Sequence, residues 1–282
     1  MKKTLLILAA FVLAFSIQAQ VTTPQPSPLS KVEQKVGLTD VTIEYSRPGV
    51  KGRKIFGGLE AYDKMWRTGA NKNTIITFSD PVTINEYELK AGSYAIFAKP
   101  GESIWEVYFY TDTNNWGTPE KWDESKVAAI AKVKADAIPF VVETFTIDIN
   151  DIKTGSARLE MMWENTYIGI PFTVPTDDKV LASINDALNG TPKAADYYAS
   201  AVYYLSEGKD IKQAKEWIDK AMSMMDSPAY YQLRHQSLIY AKAGDTEGAI
   251  DLAKKSLEGS KEAGNMQYVK FNEESLKEWG AN

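Results

Sequence analysis

The sequence predicts a protein in two parts, an antiparallel β-sandwich followed by a short domain of helical hairpins. Two observations carry this prediction. Residues 29–175 contain short β-branched and aromatic runs of period two, whereas residues 193–282 have helical periodicity and an internal repeat. The chain has 282 residues, of which 44% are hydrophobic, and this suffices for about two domains that each bury a core.

The N-terminus resembles an export signal. A basic start, Met1-Lys2-Lys3, precedes an apolar run from Leu5 to Ile17, and Ala19 supplies a small residue at the expected cleavage site. We therefore expect a signal peptide over residues 1–19 and an exported protein, periplasmic or extracellular. The run is shorter than the about 20 residues of a membrane-spanning helix, and no later segment approaches that length, so no transmembrane segment is expected.

Residues 20–28 are rich in proline, threonine and glutamine and are expected to form an extended leader. The predicted β-sandwich then occupies residues 29–175, with turn residues between its strands. An antiparallel barrel is the alternative, since its strands would show the same alternation. The candidate strands are residues 41–45, 74–78, 82–84, 93–97, 104–110, 127–134, 140–149, 157–163 and 167–174.

A linker helix is predicted within residues 176–192, and helical repeats within residues 193–282. The repeat aligns Asp210-Ile-Lys-Gln-Ala214 with Asp245-Thr-Glu-Gly-Ala249, and a glycine (Gly208 or Gly244) lies between the helices of each unit. This period resembles tetratricopeptide repeats, and a last amphipathic helix near residues 261–279 would cap them. We expect the repeats to contact a protein partner.

The residue inventory excludes several kinds of chemistry. There is no cysteine, and His235, the only histidine, falls among the helical repeats. Thiolate catalysis, cysteine-ligated metals and a Ser-His-Asp triad are therefore excluded from the β-domain. We assign no catalytic residue, metal or cofactor. The net charge of -5 also argues against nucleic acid as a partner.

The candidate site is a basic, glycine-rich stretch between two predicted strands. Residues 46–73 hold three of the five arginines and a local charge of +5. Guanidinium groups bind carboxylate, phosphate or sulfate, and aromatic rings stack on sugars, so a small anionic or sugar-like ligand is expected. The predicted ligand-binding residues are Tyr45, Arg47, Lys51, Arg53, Trp66, Arg67, Asn71 and Trp116.

Three functions remain open at this point. The favoured one is an exported, non-catalytic binding protein. A histidine-independent hydrolase that uses carboxylates on a glycan or ester is an alternative, because Asp and Glu are spread through the β-domain. A structural envelope scaffold is another, in which the arginines pair with acidic strands and only hold the basic stretch in place.

Several short strings resemble one known family. They are Tyr45-Ser-Arg-Pro, Lys51-Gly-Arg, Ile55-Phe-Gly, Trp66-Arg-Thr-Gly-Ala-Asn71, Gly92-Ser-Tyr-Ala-Ile-Phe97, Trp105 and Asn115-Trp-Gly117. Together they resemble the signature of a bacterial family that carries domain of unknown function number 2911. The resemblance covers about residues 30–175 and implies an exported domain, common in Bacteroidetes and often followed by helical repeats. It implies no activity and no catalytic residues.

Overall fold

The computed structural model of the chain describes residues 23–281. They form two compact units, the first ending at Thr176 and the second beginning at Asp177. The predicted signal peptide and the first residues of the leader, up to residue 22, lie outside the described residues. Within residues 23–281, the helices are all too short or too polar to cross a bilayer.

Residues 23–176 of the first unit contain ten strands in two sheets, and every pair of neighbouring strands is antiparallel. The larger sheet has the order β1-β2-β3-β6-β7-β8, and the smaller has the order β5-β4-β10-β9. The strands are β1 Leu29–Val36, β2 Thr39–Ser46, β3 Ala70–Phe78, β4 Val82–Ile84, β5 Tyr87–Leu89, β6 Gly92–Lys99, β7 Ile104–Tyr110, β8 Val127–Lys134, β9 Asp136–Asn150 and β10 Ser156–Thr173.

The two sheets pack face to face around one hydrophobic core. Ile43 on β2 and Ile96 on β6 come from the larger sheet, and Ile147 on β9 and Leu159 on β10 come from the smaller. Alternate residues of these strands point inward, which is the period expected of packed antiparallel sheets. The predicted antiparallel β-sandwich is therefore confirmed, and the barrel alternative is not what the chain forms.

Some strands differ from those predicted. Strand β1 was not among the candidates because its sequence, Leu-Ser-Lys-Val-Glu-Gln-Lys-Val, is mostly polar; it lies at the edge of the larger sheet, where one side of a strand faces solvent. The short β5 was also not predicted. The candidates 157–163 and 167–174 form the single strand β10, whose pairing with β9 shifts register on both sides of Glu164.

The second unit is helical throughout, as the change from strand to helical periodicity predicts. Asp210 and Asp245, which the repeat aligns, each accept hydrogen bonds from backbone N–H groups as the N-cap of a helix, and Ala214 and Ala249 are each fully buried. The helices are numbered from the linker helix, which starts at the unit boundary. They are α1 Thr176–Asn189, α2 Ala194–Ser206, α3 Ile211–Ser223, α4 Tyr230–Lys242, α5 Thr246–Glu262 and α6 Met266–Glu278.

Candidate functional site

The basic stretch forms a long irregular connection from β2 to β3, residues 47–69. It is fixed to a strand of each sheet. Gly49 forms a β-bridge with Thr144 on β9, and Trp66 exchanges two backbone hydrogen bonds with Ala98 on β6, at 2.7 and 2.9 Å. Loops of this length without regular structure are usually functional or disordered, and this one is held in place.

Arg47 fastens this connection to the smaller sheet. Its Nε donates to the carbonyl oxygen of Phe145 at 3.0 Å, and its Nη2 donates to Oγ1 of Thr146 at 2.8 Å. Both partners lie on β9. Arg47 is not among the residues that line the cavity described next, and its guanidinium is bound by a carbonyl and a hydroxyl of β9 rather than by a carboxylate.

A cavity of ≈ 400 Å³ lies over the connection, and we call it the arginine cavity. Lys51, Arg53, Glu60, Arg67 and Asn71 supply its polar wall. Its remaining lining comes from Pro26, Ser27, Pro48, Gly49, Leu59, Gly69, Ala70 and Trp163. Four of the predicted ligand-binding residues therefore meet in one place.

The guanidinium groups of the cavity are oriented by backbone carbonyls. Nε of Arg53 donates to the Val50 carbonyl at 2.9 Å and Nη2 to the Gly49 carbonyl at 2.6 Å, while Nη1 of Arg67 donates to the Asn71 carbonyl at 2.9 Å. Across the described part of the chain, neither arginine forms an ion pair shorter than 4.0 Å. Their other N–H groups can therefore donate to a ligand.

Glu60 is the acidic group of this cavity. Burial raises the pKa of its carboxyl to about 7, although the positive charges of Arg67 and Arg53 act in the opposite direction. Burial outweighs the two cations because it removes water from around the carboxylate. The cavity thus holds cationic groups beside a carboxyl whose pKa lies well above its ordinary value.

Backbone strain is concentrated around the cavity. Lys51, Thr68, Asn71 and Glu164 have positive φ angles of 50, 54, 59 and 53°. Thr68 is the most unusual of them because it is β-branched and fully buried, and its Oγ1 has no hydrogen-bond partner. Such conformations persist only where the surrounding structure enforces them, and they cluster at functional sites.

A second cavity, of ≈ 340 Å³, lies beside the first, and we call it the tryptophan cavity. Trp116, which is 79% exposed, lines it together with Leu29, Ile75 and Tyr45, and Asn73 and Lys72 are among its polar residues. The loop that carries Trp116 is tied to β3, because the N–H of Asn115 donates to Oδ1 of Asn73 at 2.9 Å.

Tyr45 and Trp66, two of the predicted ligand-stacking residues, are buried in the core, and Tyr45 also lines the tryptophan cavity. Tyr45 is 2% exposed, and its hydroxyl donates to the Ile147 carbonyl at 3.1 Å. Trp66 is 4% exposed and stacks on Trp163 with ring centroids 5.9 Å apart and an interplanar angle of 17°. Neither ring is open to stack on a ligand. Trp163 lines the arginine cavity, and Trp66 packs against Trp163.

Sequence reasoning gave no role to Glu60 or Thr68. Glu60 is one of only two acidic residues in a strongly basic stretch, and that isolation was a usable signal. Nothing in the sequence marks Thr68 as strained, because its φ angle follows from the anchoring of the connection on both sides. Trp163 enters the site from β10, about a hundred residues further along the chain, through tertiary packing alone.

His235 is distant in sequence from the residues of the two cavities and belongs to the helical unit. It sits on α4, half-buried, where one ring nitrogen, Nδ1, is 2.6 Å from the hydroxyl of Tyr198. Burial lowers the pKa of its imidazole, and the nearby Arg234 lowers it further. Within residues 23–281, no cluster of three or more His, Cys, Asp or Glu side chains could hold a metal ion.

A family model described as "Protein of unknown function (DUF2911)" matches residues 27–172, just over half of the chain. The chain belongs to the DUF2911 family. The match begins at Ser27, which lines both cavities, and includes all eight predicted ligand-binding residues. No curated protein matches the chain, and no solved structure matches it. Membership of DUF2911 thus agrees with the resemblance of the sequence strings and brings no activity with it.

Proposed function

We propose that this chain is an exported, non-catalytic bacterial binding protein whose DUF2911 domain holds a small anionic ligand in the arginine cavity. The observation that carries the proposal is that Lys51, Arg53 and Arg67 line one open cavity, with both guanidinium groups oriented by backbone carbonyls rather than neutralised by carboxylates. An arrangement fixed before binding loses little side-chain entropy when the ligand arrives.

The chemistry of the wall favours an oxyanion. Hydrogen bonds within the domain occupy Nη1 of Arg67 and leave Nε and Nη2, the planar edge that binds a carboxylate or phosphate with two parallel bonds. Nη1 of Arg53 and the ammonium group of Lys51 add donors on the same cavity. Charge-assisted hydrogen bonds of this type are the strong ones.

The test is a calorimetric titration of the purified protein with acetate, galacturonate and inorganic phosphate. Arg53→Ala and Arg67→Ala are each expected to weaken binding at least tenfold, about 1.4 kcal/mol. Arg158→Ala is the matched control, because Arg158 is an exposed arginine of the same domain that lines neither cavity. Equal affinity in all three variants, or no binding of any probe by the wild type, would contradict the proposal.

A carboxylate hydrolase is the second candidate, and Glu60 is the observation that favours it. A carboxyl with a pKa of about 7 in a cavity can act as a general acid at neutral pH. The test is release of p-nitrophenol from p-nitrophenyl glycosides and p-nitrophenyl acetate. The hydrolase predicts turnover that Glu60→Gln abolishes. Turnover that survives Glu60→Gln would exclude Glu60 as the general acid, and no turnover in the wild type would leave binding as the function.

The helical unit, as tetratricopeptide-like repeats, is proposed to contact a protein partner. Tyr231, Met266 and Phe271 support this, because these large apolar side chains are 43, 70 and 38% exposed. Photo-cross-linking from position 231 in the producing cells should give one discrete adduct. Position 247, an exposed glutamate on α5, serves as the control, and an equal pattern from both positions would count against the contact.

A further inference from the structure

The arginine cavity and the tryptophan cavity adjoin each other. Both are lined by Ser27 and Asn71. The amide Nδ2 of Asn71 donates to the Ser27 carbonyl and to Oγ of Ser46, both at 3.2 Å. These bonds hold the Asn71 amide at the wall that the two cavities share. One ligand can therefore occupy both cavities and pass over Asn71.

The loop that carries Trp116 also contacts an arginine of the first cavity. A Cβ atom placed on Gly117 would lie 3.3 Å from Cζ of Arg67, so the glycine lets the loop lie against the guanidinium. The same loop is hydrogen-bonded to β3 in both directions, with the N–H of Asn73 donating to the Asn115 carbonyl at 3.1 Å and the N–H of Asn115 donating to the Asn73 side chain. The loop that carries Trp116 and the guanidinium group of Arg67 are thus held next to each other at Gly117.

The lining of the tryptophan cavity suits a sugar ring. An indole that is 79% exposed offers a flat apolar surface, and the neighbouring wall supplies polar groups from Gln25, Glu44 and Lys72. A pyranose has an apolar C–H face for the indole and hydroxyl groups for these polar side chains. A purely apolar ring would leave the same polar groups without partners on binding.

We propose that the ligand is an acidic saccharide, with its carboxylate in the arginine cavity and the adjoining pyranose ring on Trp116 in the tryptophan cavity. The inference rests on the proposed function, because it takes the arginine cavity as the anion site. It adds a second subsite and a ligand class: a glycan end that carries a uronic acid and has at least two rings.

The experiment compares three probes by calorimetry: galacturonate with one ring, digalacturonate with two, and the neutral disaccharide cellobiose. Digalacturonate is expected to bind at least tenfold more tightly than galacturonate, and cellobiose not to bind measurably. Trp116→Ala should reduce the affinity for digalacturonate to that for galacturonate while it leaves galacturonate within twofold. Phe140→Ala is the matched control, since Phe140 is 59% exposed on β9 and lines neither cavity.

The outcomes separate this inference from the function beneath it. If galacturonate binds in an Arg67-dependent way but digalacturonate binds no more tightly, or Trp116→Ala changes nothing, the second subsite is overturned and anion binding stands. If phosphate or acetate binds and neither uronate does, the ligand class is overturned. If no anion of any kind binds, both proposals fall together.

Discussion

The two units differ in where they place left-handed backbone. In the first unit, Lys51, Asp63, Thr68 and Asn71 take positive φ angles within a single stretch of the chain, and three more non-glycine residues do so elsewhere. In the second unit, positive φ angles within residues 177–281 occur only at glycines, each of them just after a helix. Left-handed conformation is thus confined to glycines at helix ends in the second unit, whereas in the first unit it also falls on non-glycine residues, four of them between β2 and the start of β3.

This difference in backbone conformation indicates how each unit accommodates its turns and loops. A glycine after a helix adopts the left-handed region without steric cost, so the turns of the helical unit form without backbone strain. A non-glycine residue there costs of order 1–3 kcal/mol, and the structure around it must supply that energy. In the β-sandwich the aromatic core of Trp66, Trp163 and Phe145 under the connection does so, which suits a site that is fixed before its ligand binds.

Removing the aromatic support should have the largest effect. We expect Trp66→Ala to lower the free energy of unfolding of the β-unit by about 3–5 kcal/mol, because it removes a buried indole and leaves a cavity. Urea denaturation followed by circular dichroism measures this. Trp116→Ala is the control and should change stability by less than about 0.5 kcal/mol, since that side chain is mostly exposed. Equal effects of the two changes would show that the core does not hold the connection.

The next effect concerns pH. Because burial raises the pKa of Glu60 to about 7, the folded state keeps a proton between the unfolded pKa of 4.5 and 7 that the unfolded state has lost. The contribution of Glu60 to stability therefore falls as pH rises through this window. After discounting for solvent screening, we expect Glu60→Gln to be about 2 kcal/mol more stable than wild type at pH 8 and about equal at pH 4.

The same group should couple anion binding to pH. An ionised Glu60 repels an anion and competes with it for Arg53 and Arg67, so affinity for phosphate should be higher at pH 6 than at pH 8 beyond the change due to phosphate itself. Sulfate, whose charge is constant over this range, isolates the effect. A pH profile for sulfate that Glu60→Gln does not flatten would exclude Glu60 as the coupled group.

A smaller effect is expected in the helical unit. Gly208 has a φ angle of 64° and open space where a Cβ would lie, so Gly208→Ala costs only backbone strain, about 1–2 kcal/mol. Thermal unfolding of the helical signal measures it. Gly190→Ala, after α1 but without a positive φ, is the matched control and should be nearly neutral. A neutral Gly208→Ala would remove the contrast between the two units.

The smallest predicted effect is an increase, rather than a decrease, in the free energy of unfolding. Lys51 is exposed and has a φ angle of 50°, so Lys51→Gly should raise stability by about 0.5–1 kcal/mol while it weakens phosphate binding. Lys54→Gly is the control, since Lys54 is an exposed lysine of the same connection without a positive φ, and it should lower stability slightly. Loss of stability in Lys51→Gly would mean that its strain is not relieved by glycine.

Much of the fold could be predicted from the sequence because it depends on local patterns. Period-two alternation located most strands, and the repeat that aligns Asp210 with Asp245 indicated the helical unit, in which both residues are N-caps. The polar edge strand β1 and the continuity of β10 through Glu164 could not be predicted, because edge exposure and a bulge depend on which strands become neighbours.

For the site, the sequence by itself determined the local charge of +5, the clustering of arginines and the absence of a histidine or cysteine nearby, all of which are properties of composition. Only the tertiary structure decided the roles within that cluster. It turned Arg47 toward β9, directed Arg53 and Arg67 to one cavity, buried Tyr45 and Trp66, and placed Trp116 beside Asn71. These side-chain positions follow from packing between residues that are distant in the chain. The density of charge along the sequence does not determine where each side chain points.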